Sequence, residues 1–191
     1  MDNIKAQLGL NDEQFGKLRL FNRILISYND FKQAGGIAEL LLEGDLYKNY
    51  PRENRQLVIA LNMAAIIAYA RPFVDSKGKL AHNRLSGKVL RILNEGERKV
   101  HNVVLEDRNT MMAHSDADAN ISIPLVLEMN GRKLLIPKNA SPYAVPLLPE
   151  AMKMLSEISF KLQEHCFALR REMESELLEF LPKAQIVPDD T

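Results

Sequence analysis

Arg108, Asn109 and His114 are the residues whose types and spacing best suit phosphate chemistry. An arginine presents a planar fork of donors that matches phosphate oxygens. A histidine exchanges a proton near neutral pH. Asn109 is placed to hold either group. On a helix that turns roughly 100° per residue, the six-residue separation sets Arg108 and His114 about 120° apart around the axis. They do not stack directly, but both border one cleft if a partner helix covers the space between them. The plainer reading is a surface arginine followed by a histidine that complements the negative end of the helix dipole.

Three other stretches carry chemistry-bearing residues. Arg71, in Tyr69-Ala70-Arg71-Pro72-Phe73, ends an apolar helix. It reaches the His114 end of the motif helix if the two helices are neighbours, or else satisfies the last carbonyls of its own helix before Pro72. Asp116-Ala117-Asp118-Ala119-Asn120 opens like a calcium loop, yet Ile121 stands where glycine is required and Leu127 where glutamate is expected. His114 and Asp116 have only the distant His101 as a further ligand of the same kind, so no metal is expected. His165 and Cys166 are neighbours on a helix and point about 100° apart, which makes Cys166 a small core residue rather than half of a dyad. There is no Walker loop, no glycine-rich dinucleotide turn and no G-x-S-x-G elbow, so no cofactor is expected either.

The elements that must position these residues are mainly helical. The chain has 191 residues, 46% hydrophobic and 26% charged, which suits one globular domain with a real core. Asn11 and Gln14 form a capping box ahead of a helix from Phe15 to Phe31. Gly35-Gly36 is expected to break that helix, leaving a short helical turn from Ile37 to Leu42. A second long helix is expected over Arg52–Phe73, with Pro51 near its start and an apolar middle that marks a central element. After a polar connection from Asp75 to Gly87 and a short helix over Lys88–Asn94, the motif helix runs from Glu95 to His114. Val100, Val103, Val104 and Met111 form its expected inner face. Residues 121–136 read as a β-hairpin around Asn130-Gly131, with Pro124 and Pro137 favouring an edge ribbon. The last helix, Pro149–Leu181, carries an apolar stripe through Ile158, Leu162, Cys166, Leu169, Met173 and Leu177. At about 50 Å it exceeds what a compact core needs, so part of it is expected to pack on a second subunit. Residues 1–182 thus form one domain, with 183–191 as a flexible tail.

Lys plus Arg equals Asp plus Glu at 25 each, so a nucleic-acid contact must come from a local patch. The N-terminus lacks the pattern of a secretory signal, and the apolar run Met63–Ala70 is too short to span a bilayer. A lone cysteine excludes an intrachain disulfide framework and fits a reducing cytosol.

The string Arg108-Asn109-Thr110-Met111-Met112-Ala113-His114-Ser115 resembles the motif of the HEPN superfamily (higher eukaryotes and prokaryotes nucleotide-binding domains). Arginine, a polar residue and a histidine after five intervening positions lie there on a late helix of an all-α, up-and-down bundle. The resemblance does not extend to the hairpin. The acidic Glu106-Asp107 also departs from it, and a carboxylate paired with Arg108 would weaken its hold on phosphate. The resemblance implies a metal-independent endoribonuclease acting as a homodimer, with both copies of the motif in one composite cleft. Arg108 would stabilise charge on the phosphoryl oxygens and His114 would act as general acid or base. Asn109 would orient them, with Arg71, Asp107 and Ser115 in support. RNA is the implied partner, and an antitoxin or other regulatory protein would restrain a toxin or phage-defence nuclease of this type. The other readings are a non-catalytic HEPN-like module that binds RNA or nucleotide, and an adaptor bundle that oligomerises through its last helix.

Overall fold

Asn11 and Gln14 close the capping box that the spacing predicts. The Gln14 amide donates to Asn11 Oδ1 at 2.9 Å, and the Asn11 amide donates to Gln14 Oε1 at 3.0 Å. From that cap α2 runs unbroken over Asp12–Glu43, after a short α1 at Asp2–Gln7. Gly35-Gly36 therefore does not end the helix, and Ile37–Leu42 is its last turns rather than a separate piece. The reason is tertiary. A β-carbon at position 35 would lie 2.9 Å from Phe160 Cζ, so glycine is what lets the two longest helices approach here. Packing gained across that contact outweighs the propensity cost of glycine, about 1 kcal/mol. Gly44 then caps the helix, its amide donating to Leu40 O.

The computed structural model describes residues 2–44, 46–48, 54–113, 122–139 and 146–182. Within them follow α3 at Arg55–Ala70, a 3-10 turn at Arg71–Phe73, a second 3-10 turn at Gly87–Ile92 and α4 at Glu95–Ala113. The strands β1 (Ser122–Met129) and β2 (Arg132–Asn139) come next, and α5 spans Pro149–Leu178. The fold is thus mainly helical with one small antiparallel sheet. His114, Ser115, the Asp116–Asn120 stretch, Pro51, Arg52 and the tail from 183 lie outside the described residues.

Helices α2 and α5 pair antiparallel over much of their length. Lys17 Nζ meets Glu176 Oε1 at 2.6 Å near one end, and Gly35 meets Phe160 farther along. At 32 and 30 residues the two are matched, so the length of α5 is taken up by α2 within the chain. The stripe read from the sequence is the one that is buried: Ile158, Leu162, Cys166 and Leu177 are inside, with Leu169 and Met173 packed at their edge.

Helix α3 fills the centre. Val58, Ala65, Ile66, Ala68, Tyr69 and Ala70 are all shielded from solvent. By length and composition Arg55–Phe73 passes for a membrane span, but that face is buried against other helices, as in the core helix of a bundle. Its buried amide is used on one side: Asn62 Oδ1 accepts from the Leu147 amide at 3.0 Å, Asn62 Nδ2 has no partner among the described residues, and Tyr47 Oη donates to Leu147 O at 3.0 Å. These two bonds fix the chain just before α5 begins.

The hairpin has the expected turn. Asn130 and Gly131 adopt φ of 52° and 72°, the left-handed pair that a two-residue type I′ turn requires. Register pairs Leu125 with Ile136, Val126 with Leu135 and Leu127 with Leu134, and Pro124 faces Pro137. Large apolar side chains stay exposed on this ribbon, Val126 and Leu135 most of all.

Candidate functional site

Helix α4 begins on a second capping box that escapes notice in the sequence. The Glu97 amide donates to Asn94 Oδ1 at 2.9 Å, and the Asn94 amide donates to Glu97 Oε2 at 2.6 Å. Lys161 on α5 also donates to Glu97 at 2.9 Å, and that bond, foremost, holds the Glu97 carboxyl below its ordinary value. With its start fixed this way, α4 turns His101 and Val104 inward. Val100 packs against the core and Val104 is buried, whereas Val103, also expected on the inner face, is 47% exposed. The side chain of Met111 lies outside the described residues.

His101 is the buried polar residue of this helix. Its Nδ1 lies 2.9 Å from Tyr69 Oη, and its ring meets Phe73 edge-on at 4.7 Å and Tyr69 at 5.8 Å. Burial pushes the imidazole below its ordinary value, and burial followed by the charge of Glu97 pushes the Tyr69 phenol up. Both shifts favour the uncharged forms, a neutral imidazole and a protonated phenol, and the imidazole tautomer sets which of the two donates. Phe31 completes the aromatic cluster against Tyr69 and Phe73, at 5.8 and 5.7 Å.

Neutral burial gives His101 a signed pH effect. The folded chain binds fewer protons here than the unfolded one, so this residue's contribution to stability is complete above its ordinary 6.5. That contribution is lost as pH falls through the lowered folded value. Chemical denaturation from about pH 7 to about pH 5 is expected to show wild type losing stability faster than His101→Phe. Parallel pH curves for the two proteins would contradict the assignment.

Two clefts open on the His101 ring. The larger, about 900 Å3, is lined by Arg19, Phe73, Asp75, His82, Arg84, Ser86 and Leu105 among others. The smaller, about 310 Å3, is lined by Leu90, Arg91, Arg98 and Asn102, and the Gly87–Leu90 stretch borders both. The larger cleft falls in the size range of small-ligand sites.

A loop that α2 holds by its backbone forms the outer wall. Arg19, Asn22 and Arg23 share one face of α2 at i, i+3 and i+4. Arg19 Nη2 donates to Ala81 O at 3.1 Å and Asn22 Nδ2 to Leu80 O at 2.8 Å. Arg23, itself buried, donates to His82 O at 2.8 Å, to Asn83 O at 3.0 Å and to Ser76 Oγ. The Ser76 amide closes the loop on Asn83 O at 3.0 Å, and the Leu85 amide reaches Pro72 O at 2.6 Å. Desolvation lowers the Arg23 pKa against the opposing pull of Asp30. The sequence shows only a polar, glycine-containing connection at this place.

Arg108 lies two turns beyond His101 on the same side of α4. His101, Leu105 and Arg108 fall within about 60° of one another around the axis. Arg108 Nη1 donates to Asn109 Oδ1 at 3.1 Å, a bond between sequence neighbours. Among the described residues no carboxylate pairs with Arg108. Asp107 is half-buried, and burial first, then the charge of Glu106, hold its carboxyl above the ordinary value. The neutralisation suggested by Glu106-Asp107 is thus not seen at Arg108.

Arg71 goes elsewhere. Its guanidinium donates to Gln33 Oε1 at 3.1 Å and reaches Asp30 Oδ1 at 3.4 Å, both on α2. Its backbone amide caps α3 by donating to Ile67 O, while the side chain goes to α2 and bonds neither the last carbonyls of α3 nor Arg108. Cys166 is fully buried and its thiol is pushed up to about 12 by desolvation, as a core cysteine's is. The chain matches no protein-family model, no curated protein and no solved structure.

Proposed function

We propose that this chain is an RNA-cleaving protein of HEPN type, an up-and-down helical bundle in which Arg108 and His114 work without a metal. The observation that carries the proposal is the state of Arg108. It sits near the end of α4, held by Asn109 and unpaired with any described carboxylate, so its remaining donors are available to a phosphate. His114 follows the last residue of α4 in sequence, six positions after that arginine.

In the proposed reaction an RNA 2′-hydroxyl gives its proton to an imidazole and its oxygen bonds to the adjacent phosphorus. The P–O5′ bond breaks and the departing oxygen takes a proton from a second imidazole. The products are a 2′,3′-cyclic phosphate and a 5′-hydroxyl, with no net redox change and no water consumed. One chain supplies one His114, so a second copy completes the acid–base pair. Arg108 stabilises the charge on the phosphoryl oxygens. The biological setting that suits such an activity is a toxin or phage-defence system with its own restraining partner.

The test is incubation of the purified protein with labelled RNA in EDTA. The expected result is cleavage with 2′,3′-cyclic ends, lost in His114→Ala. A strict metal requirement, or cleavage that His114→Ala leaves intact, would overturn the proposal. The clefts at His101 favour one second reading, a module that binds RNA or nucleotide without cutting it. Tight binding with no cleavage under these conditions would select it.

A further inference from the structure

Between residues 76 and 93 the chain holds five basic side chains, Lys77, Lys79, Arg84, Lys88 and Arg91, and no acidic one. All five are exposed. None of them enters an ion pair or side-chain hydrogen bond among the described residues. The contrast with the rest of the molecule is sharp. Lys17, Arg71, Lys99, Lys161, Arg170 and Arg171 are each ion-paired, and Arg19 and Arg23 are spent on loop carbonyls. Unpaired cations such as Lys32, Arg55 and Lys153 stand elsewhere too, but this stretch gathers five of them with no acidic neighbour between residues 76 and 93, in a chain with no net charge.

That stretch is also built. Arg19, Asn22 and Arg23 fix the backbone of its first half, so the charges stand on a held loop rather than on a solvated tail. The loop borders the 900 Å3 cleft, where the rings of Phe73 and His101 form part of the wall. Of the five, Arg84 lines this cleft, which also holds Asp75, and Arg91 lines the smaller one. Unpaired cations along a held loop beside such a cleft fit a single strand, whose phosphates meet the cations while an unstacked base enters the cleft.

We infer that residues 77–91 form a docking surface for single-stranded RNA, with the adjoining cleft receiving one base. The inference rests on the proposed function only for the identity of the polyanion. The surface holds the strand and Arg108 lies farther along the same side of α4.

The test uses the full-length protein and a fluorescent single-stranded RNA that is 2′-O-methylated throughout, which cannot be cut by its own 2′-hydroxyls. Binding is followed by anisotropy over a salt series. Replacing Lys77, Lys79, Arg84, Lys88 and Arg91 together by glutamine is expected to weaken binding at least tenfold. The salt dependence should flatten by about 2 to 3 in logarithmic slope, given roughly 0.7 per phosphate contacted on a single strand. A control that neutralises Lys32, Arg55, Arg132, Lys133 and Lys153 is expected to bind within threefold of wild type. If the quintuple variant does not fold, Lys77→Gln/Lys79→Gln and Lys88→Gln/Arg91→Gln are read separately, each with a partial loss.

Unchanged binding in the folded stripe variants would overturn the inference. So would equal loss in the control, no binding by wild type, or preference for duplex RNA or for vesicles of anionic phospholipid. Failure of the cleavage reading has a different outcome: wild type binds through the stripe but leaves unmodified RNA whole.

Discussion

Arg108→Ala is expected to reduce RNA cleavage by about a hundred- to a thousandfold, the loss typical of removing one donor from a developing oxyanion. Stability should stay within about 0.5 kcal/mol of wild type, because the side chain is half-exposed and its described bond is to its own neighbour. Alanine also suits a helix better than the arginine it replaces. The split between activity and stability is the informative readout. Arg108→Lys keeps the charge and loses the planar fork, so it should recover only part of the rate. Asn109→Ala frees the guanidinium to swing and is expected to cost less than Arg108→Ala. Single-turnover rates with saturating protein separate these effects from weaker RNA binding. A full rate in Arg108→Ala would remove this residue from the reaction altogether.

The second large effect concerns structure. Arg23→Met should destabilise the protein by about 3 kcal/mol, since the guanidinium is buried and donates to two carbonyls and a hydroxyl. Methionine fills most of the stem's volume but leaves His82 O and Asn83 O without their charged donor. For a chain of this size the expected fall in Tm is roughly 6 to 12 °C. Proteolysis should shift to the 76–85 stretch, where the loop has lost its anchor. Arg23→Lys would restore charge but not three simultaneous bonds, and is expected to fall between the two. A melting temperature equal to that of wild type would show that the clamp contributes nothing net.

What was legible in the sequence follows from which physical signal each element leaves there. The stripe on α5 and the Asn130-Gly131 hairpin are periodic, local patterns, and both are present. The capping box at Asn11 is local too. Gly35-Gly36 misleads because glycine's local meaning is a helix breaker, while its use at position 35 depends on Phe160, far along the chain. The loop from Ser76 to Leu85 reads as a polar connection because the backbone carbonyls that Arg19 and Arg23 seek leave no trace in residue types. His101 stands beside Val100 and Val104 on the inner face of its helix, but its partnership with Tyr69 depends on tertiary packing that residue spacing does not encode. The basic stretch at 77–91 is masked by the exact balance of charge over the whole chain. For the candidate site, the structure adds to the motif a bond from Arg108 to Asn109 and no described carboxylate on the arginine. Arg71 was placed by the direction of the 3-10 turn, which the pair Arg71-Pro72 alone does not encode.

The pairing of α2 with α5 has a consequence for how the protein is made. The helix that begins at Asp12 packs along the helix that begins at Pro149, so the largest interface joins segments more than a hundred residues apart. During synthesis α2 emerges well before α5, and Phe160 can reach Gly35 only after the segments between them have been made. Until then the site at Gly35 that receives the Phe160 ring is uncovered. Contacts of such long sequence separation close late and slowly, because loop entropy is lost before the packing energy is gained. The nascent chain thus passes through a stage in which α2 and α3 are complete and their partner is not. Truncation before α5 would leave the chain fixed at that aggregation-prone stage.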